Sequence, residues 1–285
     1  MRFLLGWLSR RPLWFLHAVG AGLGWLAWAC SPSYRRRLRE NAELAGIGPA
    51  ARRQAVAEAG RMVGELPRLW LRPHEQPIAD AVQWQGAEML EQWLGAPGGL
   101  VLLTPHMSSF ELAAQAYVER FGSRQPMTVL YRPARKAWLR ELEETARARP
   151  HLATAPATLA GVRQMLRALK RGETVGLLPD QVPPEGMGVW APFFGRPAFT
   201  MTLAARLVRQ TGATLGLLWA ERLPRGAGWR VHVLAPAQPL PQPPAGDVAD
   251  ATAINASMEA LIRRAPQQYL WGYHRYKAPR AVVQS

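Results

Sequence analysis

His106 and Glu111 stand five positions apart in Thr104-Pro105-His106-Met107-Ser108-Ser109-Phe110-Glu111, directly after the apolar run Gly99-Leu100-Val101-Leu102-Leu103. On one continuous helix that separation turns through about 500°, leaving the side chains about 140° apart. For the carboxylate to reach the imidazole, His106 must sit in a turn and Glu111 in the first turn of the helix that follows. So placed, the pair suits general-base chemistry. A helix N-terminus favours the neutral imidazole, and an acid on one ring nitrogen leaves the other to take a proton. The spacing also fits a purely structural reading, in which Ser108-x-x-Glu111 is a capping box and His106 a turn residue.

Two further polar positions follow apolar runs. Tyr131-Arg132-Pro133 comes after Met127–Tyr131, and Arg132 fits either a fork for phosphate or carboxylate or a solvated loop arginine. Pro179-Asp180-Gln181 comes after residues 174–178; Asp180 suits orienting a base or substrate, or simply turning the chain. Other chemistries lack their residues. There is no G-x-S-x-G, no G-x-x-x-x-G-K-[ST] and no G-x-G-x-x-G, and the histidines at 17, 74, 106, 151, 232 and 274 make no close pair for a metal. A serine hydrolase, a P-loop enzyme and a zinc protease are poor readings.

The elements that must position these groups are read from periodicity. Short continuous apolar runs at 99–104, 127–131, 174–178, 214–220 and 230–234 predict strands. Helical spacing predicts helices over 34–47, 50–71, 110–121, 136–148, 159–170, 202–210 and 250–264, with Pro67 kinking or breaking the second and Thr200 or Thr202 capping the sixth. Strands uninterrupted by polar residues and separated by helices predict one α/β domain with a mixed, mostly parallel sheet covered by helices. Its sites belong beyond the carboxyl ends of the strands, where these polar residues fall. Residues 181–195 read as a Gly/Pro-rich loop and 235–247 as a Pro-rich link.

The 285 residues, 48% hydrophobic and 19% charged, exclude a disordered chain, and the single Cys30 excludes disulfide scaffolds and cysteine zinc sites. The net charge of +15 predicts an anionic partner: membrane surface, nucleic acid or acidic protein. Location decides among them. Pro12 to Cys30 carries no formal charge, has only His17 as an ionisable group, and is long enough as a helix to match a bilayer's hydrocarbon core of about 30 Å. Trp14, Trp25 and Trp28 lie toward its ends, Gly20, Gly22 and Gly24 weaken it as a water-soluble helix, and arginines flank it at 2, 10, 11, 35, 36, 37 and 39. This predicts a retained membrane anchor over 1–33, spanning or lying in the interface, ahead of a domain over 34–285. A cleaved signal and a buried core helix are the alternatives. Aromatics interleaved with arginines, as nucleic-acid binding would need, occur only in the Tyr273–Lys277 run, so nucleic acid is not an expected partner.

Taken together, the blocks look like a known family. His106-Met-Ser-Ser-Phe-Glu111 resembles the H-x4-[DE] motif of glycerolipid-type acyltransferases. Its combination with Tyr131-Arg132-Pro133, Pro179-Asp180-Gln181, Pro192-Phe193-Phe194-Gly195 to Thr200, and Gln268 to Lys277 is similar to the late acyltransferases of lipid A biosynthesis. The resemblance implies transfer of a fatty acyl chain from acyl carrier protein to a hydroxyacyl hydroxyl of a Kdo-bearing lipid A precursor, at the cytoplasmic face of the inner membrane beside anionic lipids. It implies His106 as base and Glu111 as its orienting acid, with Arg132, Asp180 and Gln181 at the family's other polar positions. Such thioester chemistry needs no metal or redox cofactor. One departure stands out: the family's usual second acid after Asp-[Gln/His] is Val182 here. Alternative readings are an acyltransferase acting on a lysophospholipid or another glycolipid, and a non-enzymatic basic membrane-binding module.

Overall fold

The computed structural model describes residues 2–73, 76–131, 136, 140, 143 and 148–280. Most of the expected helix over 136–148 and the expected site residue Arg132 lie outside the described residues, as does His74. Four helices come first: α1 (Arg2–Ser9), α2 (Leu13–Cys30), α3 (Pro32–Leu44) and α4 (Pro49–Leu71). A seven-stranded sheet follows, built from β1 (Val82–Gln85), β2 (Leu100–Leu103), β3 (Met127–Tyr131), β4 (Leu152–Pro156), β5 (Thr174–Leu177), β8 (Thr214–Arg222) and β9 (Trp229–Leu234). Its order is β1-β9-β8-β2-β5-β3-β4, and every neighbouring pair is parallel except β8 with β9. A separate hairpin pairs β6 (Gly188–Phe193) with β7 (Arg196–Met201). Among the described residues five more helices follow: α5 (Ala87–Trp93), α6 (Phe110–Phe121), α7 (Leu159–Lys170), α8 (Leu203–Thr211) and α9 (Asp247–Arg264).

Both faces of the sheet are covered, which explains strands without polar interruption. Along β2, Val101 and Leu103 point into a core with Met165 of α7, Leu207 of α8 and Ile254 of α9. Leu100 and Leu102 point oppositely, into a core with Leu90 of α5 and Leu112 of α6. Alternate residues therefore serve opposite cores, as the pleat dictates.

The expected mixed, mostly parallel sheet and the helix expected over 50–71 are present, the break allowed at Pro67 does not occur, and other details differ from the expectations. Helix α4 continues past Pro67 to Leu71. Leu69 is buried, and the Arg149 guanidinium donates to the carbonyls of Leu69, Arg72 and Pro73, so packing and an external donor hold the last turn. Residues 188–201 form a hairpin rather than a loop; its turn residues Phe194 and Gly195 have φ of 47° and 75°, the backbone of a type I′ connection. Thr202 occupies the N-cap position of α8 but makes no side-chain cap, and the Thr200 hydroxyl is engaged by Asn255 and Arg275 instead. Strands β1 and β4 and helices α1 and α5 add to the elements that periodicity predicts.

The apolar helix α2 is long and apolar enough to cross a membrane, and yet it is packed along α4. A methyl group added at Gly20, Gly24, Gly60 or Gly64 would collide with the backbone of the facing helix. Gly20 and Gly24 are thus the close-approach face of α2, while Gly22 faces open space.

Candidate active site

Strands β2 and β5 are parallel neighbours with Leu103 paired to Leu177. His106 and Asp180 each lie three residues beyond that pair, so the register alone brings the two turns side by side at the carboxyl edge of the sheet. The contact is made twice: His106 Nδ1 lies 2.7 Å from Asp180 Oδ1, and the His106 backbone N–H donates to Oδ2 at 2.9 Å. The imidazole keeps 19% of its side-chain surface exposed and the carboxylate only 1%. Among the described residues, no hydrogen bond is made to Nε2. Burial alone would raise the Asp180 carboxyl, but the charge and hydrogen bonds of His106, with Arg275 beyond, outweigh it and hold it below its ordinary value.

The turn carrying His106 is clamped from three sides. Met107 bridges Tyr269, the Leu270 amide donates to the His106 carbonyl at 3.2 Å, and the Ser108 amide donates to the Gln268 carbonyl at 2.7 Å. The Ser108 hydroxyl accepts the Arg222 amide at 2.7 Å, at the end of β8, the strand flanking β2 on its other side. Ser108 has a φ of 50°, a left-handed conformation unusual for a side-chain-bearing residue, and these bonds maintain it. The capping box read from Ser108-x-x-Glu111 is therefore not built on Ser108. Ser109 stands at the N-cap of α6 without a side-chain cap, and its hydroxyl donates to Glu65 at 2.5 Å.

Glu111 lies in the first turn of α6, where the helical spacing put it. The described carboxylate on the Nδ1 of His106 is that of Asp180, for which the sequence left base and substrate orientation both open. Gln181 is half-buried in the same turn as Asp180. The next amide, Val182 N–H, donates to the Tyr273 hydroxyl at 3.0 Å. Through this bond the backbone ties the turn to the closing segment.

That closing segment supplies residues the sequence reading did not assign. Tyr269 is buried beside Asp180; burial first, then the charge of Asp180, pushes its phenol well above the ordinary range, so it remains protonated. Arg275 is buried and donates to the Phe199 carbonyl and the Thr200 hydroxyl, both at 2.7 Å, linking the β6–β7 hairpin to the site. Burial lowers its guanidinium below the ordinary value, against the opposing charge of Asp180. The only sequence signal for these roles is the dense polar and aromatic run from Gln268 to Lys277.

The model of the bacterial lipid A biosynthesis acyltransferase family matches residues 3–278. The chain belongs to this family. It is 28% identical, over 97% of its length and 92% of the relative's, to a lipid A biosynthesis lauroyltransferase of Escherichia coli K12. To a lipid A biosynthesis palmitoleoyltransferase of the same organism it is 27% identical over the same shares. A lipid A biosynthesis acyltransferase of Haemophilus influenzae is 25% identical over 93% of the chain and 85% of the relative. The family assignment agrees with the resemblance in the motifs, and four of its five sequence blocks are brought together by the described structure around His106.

Proposed function

We propose that the protein transfers a fatty acyl group from acyl carrier protein to a hydroxyl on a hydroxyacyl chain of a Kdo-bearing lipid A precursor. The observation that carries this reading is the His106–Asp180 pair at the carboxyl edge of the sheet, in a chain matched almost end to end by the family model. Asp180 holds Nδ1 in its protonated form, so Nε2 takes the proton of the acceptor hydroxyl. The freed oxygen attacks the thioester carbonyl carbon. The resulting oxyanion is stabilised by the partial positive charge at the opening of α6. Collapse then breaks the carbon–sulfur bond, and the carrier thiol leaves with the proton returned by the imidazolium. Glu111 acts as a second acid at the start of α6, and Arg132 and Gln181 contact substrate. No metal or redox group is required by these steps. Residues 1–33 attach the enzyme to the inner membrane, with residues 34–285 on the cytoplasmic side.

The test is acylation by the purified full-length protein, followed by mass spectrometry, with acyl carrier protein thioesters as donor and a defined lipid A precursor as acceptor. Wild type is expected to add one acyl chain. His106→Ala should lower kcat by about 10²–10⁴-fold, the range of a lost general base. Near-normal turnover in that variant overturns the mechanism, and acylation of a lysophospholipid in place of the precursor overturns the acceptor.

A further inference from the structure

Resting on the membrane attachment proposed above, we infer that α2 does not cross the bilayer. It lies along the surface of one anionic leaflet, its outer face in the lipid and its inner face bound to α4. Composition permits crossing, and the packing opposes it. Leu13, Leu16, His17, Gly20 and Gly24 recur at helical spacing on one buried face against α4. From that face His17 meets Glu65 at 3.2 Å, and Glu65 is paired in turn with Arg222 at the end of β8. Both ends of α2 are seated as well. The backbone of Leu13 and Trp14 lies against Gly226 in the turn after β8, and Trp28 packs on the core that contains Trp271.

A crossing α2 would therefore carry α4 with it into the hydrocarbon, or be stripped from α4. The first option immerses Arg52, Arg53, Glu58, Arg61, Glu65 and Arg68, and charged side chains are costly within hydrocarbon. The second removes the His17 contact and opens the closely packed glycine face. Neither is needed if the helix stays where it is. Its opposite face is apolar and open: Trp14 is 61% exposed, Leu26 58% and Leu23 50%, with Val19 and Trp25 beside them and Trp7 of α1 continuing the patch. The histidine within α2, His17, is turned inward.

The charge pattern agrees with this placement. Arg10 and Arg11 precede α2, and Arg35, Arg36 and Arg39 follow it. On a crossing helix these clusters would face opposite compartments, against the usual concentration of basic residues on one side. On a helix lying flat, both face the same anionic headgroups. The two ends even carry matching pairs, with Arg11 over the Trp7 ring at 4.5 Å and Arg35 over the Trp28 ring at 4.8 Å. Indole and guanidinium together suit the headgroup level. Because α4 also contacts the His106 turn through Glu65 and Ser109, the leaflet lies close to the site, and a lipid acceptor reaches it from the plane of the membrane.

Sidedness of the two ends of α2 decides the matter. Cys30, the sole cysteine, is exposed at the C-terminal end, and Arg10→Cys with Cys30→Ser moves the thiol to the exposed N-terminal end. Each protein is expressed in its host and treated with a membrane-impermeant maleimide in right-side-out and in inverted inner-membrane vesicles. Both thiols are expected to react only in the inverted vesicles; reaction of the two positions from opposite sides overturns the inference. A second measurement is independent of the cysteines. Leu23→Asp with Leu26→Asp should reduce co-flotation with phosphatidylglycerol-containing vesicles by roughly tenfold or more, since both side chains would leave lipid. Unchanged flotation with an unchanged circular dichroism spectrum also overturns it. Neither readout requires turnover, so an active enzyme with its thiols on opposite sides rejects the flat helix and leaves the proposed reaction standing.

Discussion

Asp180 and Glu65 are both buried carboxylates that meet a histidine, and both are held below their ordinary pKa, yet they sit in opposite kinds of surroundings. Asp180 receives the ring and backbone of His106, whose imidazole remains partly open to solvent. Glu65 is saturated. Its Oε1 accepts from Ser109 at 2.5 Å and Arg222 at 2.9 Å, and its Oε2 meets His17 at 3.2 Å, Arg222 at 3.0 Å and Trp229 at 3.3 Å. Burial alone would raise its carboxyl; Arg222, His17 and Ser109 bring it down to about 2. A histidine–carboxylate contact is therefore not by itself a catalytic signature. What separates the two is whether the imidazole keeps a nitrogen that a substrate can reach.

The comparison can be broken most forcefully at Glu65. Glu65→Ala leaves Arg222 buried beside Glu58 alone, and the expected loss is about 3–5 kcal/mol of unfolding free energy in urea titrations. A loss below about 1 kcal/mol would show that the network does not hold the helical layer to the sheet. Asp180→Asn tests the other side. It removes the charge that fixes the His106 tautomer, so kcat should fall by about 10²-fold or more with KM little changed. If Asp180→Asn and Glu65→Gln lower kcat equally at matched folded fractions, the distinction between the two regions fails.

Acid titration sharpens the same contrast. A carboxyl with a depressed folded-state pKa stabilises the native protein above its unfolded pKa, and that contribution is lost as pH falls through the folded value. For Glu65 the window runs from 4.5 down to about 2. Unfolding free energy should therefore decline across this range in the wild type and decline less steeply in Glu65→Gln, and equal slopes would remove Glu65 as the cause. The smallest expected effect belongs to Glu111→Ala. As a second acid of the reaction it should reduce turnover with little change in Tm, whereas a helix-start role predicts about 1 kcal/mol of stability lost with activity retained.

Legibility in the sequence followed the physics of each element. Strands β2, β3 and β5 were visible because burial on both faces makes a run such as Leu100–Leu103 continuously apolar. Strand β1, Val-Gln-Trp-Gln, shows no continuous apolar run because its outward residues Gln83 and Gln85 are polar and exposed. The β6–β7 hairpin was hidden by a turn made from Phe194-Gly195, which lacks the usual Asn-Gly or Asp-Gly mark. The positions of His106 in a turn and Glu111 in the first turn of α6 were both readable from spacing. The partnership of His106 with Asp180, 74 residues away, was not.

By itself, the sequence determined the class of sheet, the turns in which polar residues could do chemistry, and an apolar N-terminal helix flanked by arginines. Those follow from local periodicity and composition, which act over a few residues. Only the tertiary structure decided that Asp180 meets Nδ1, that Tyr269 and Arg275 close over it, and that α2 turns His17 and two glycines toward α4. Each of those depends on which strands become neighbours, and in what register, and the pairing of Leu103 with Leu177 is a property of the assembled sheet that no single segment encodes.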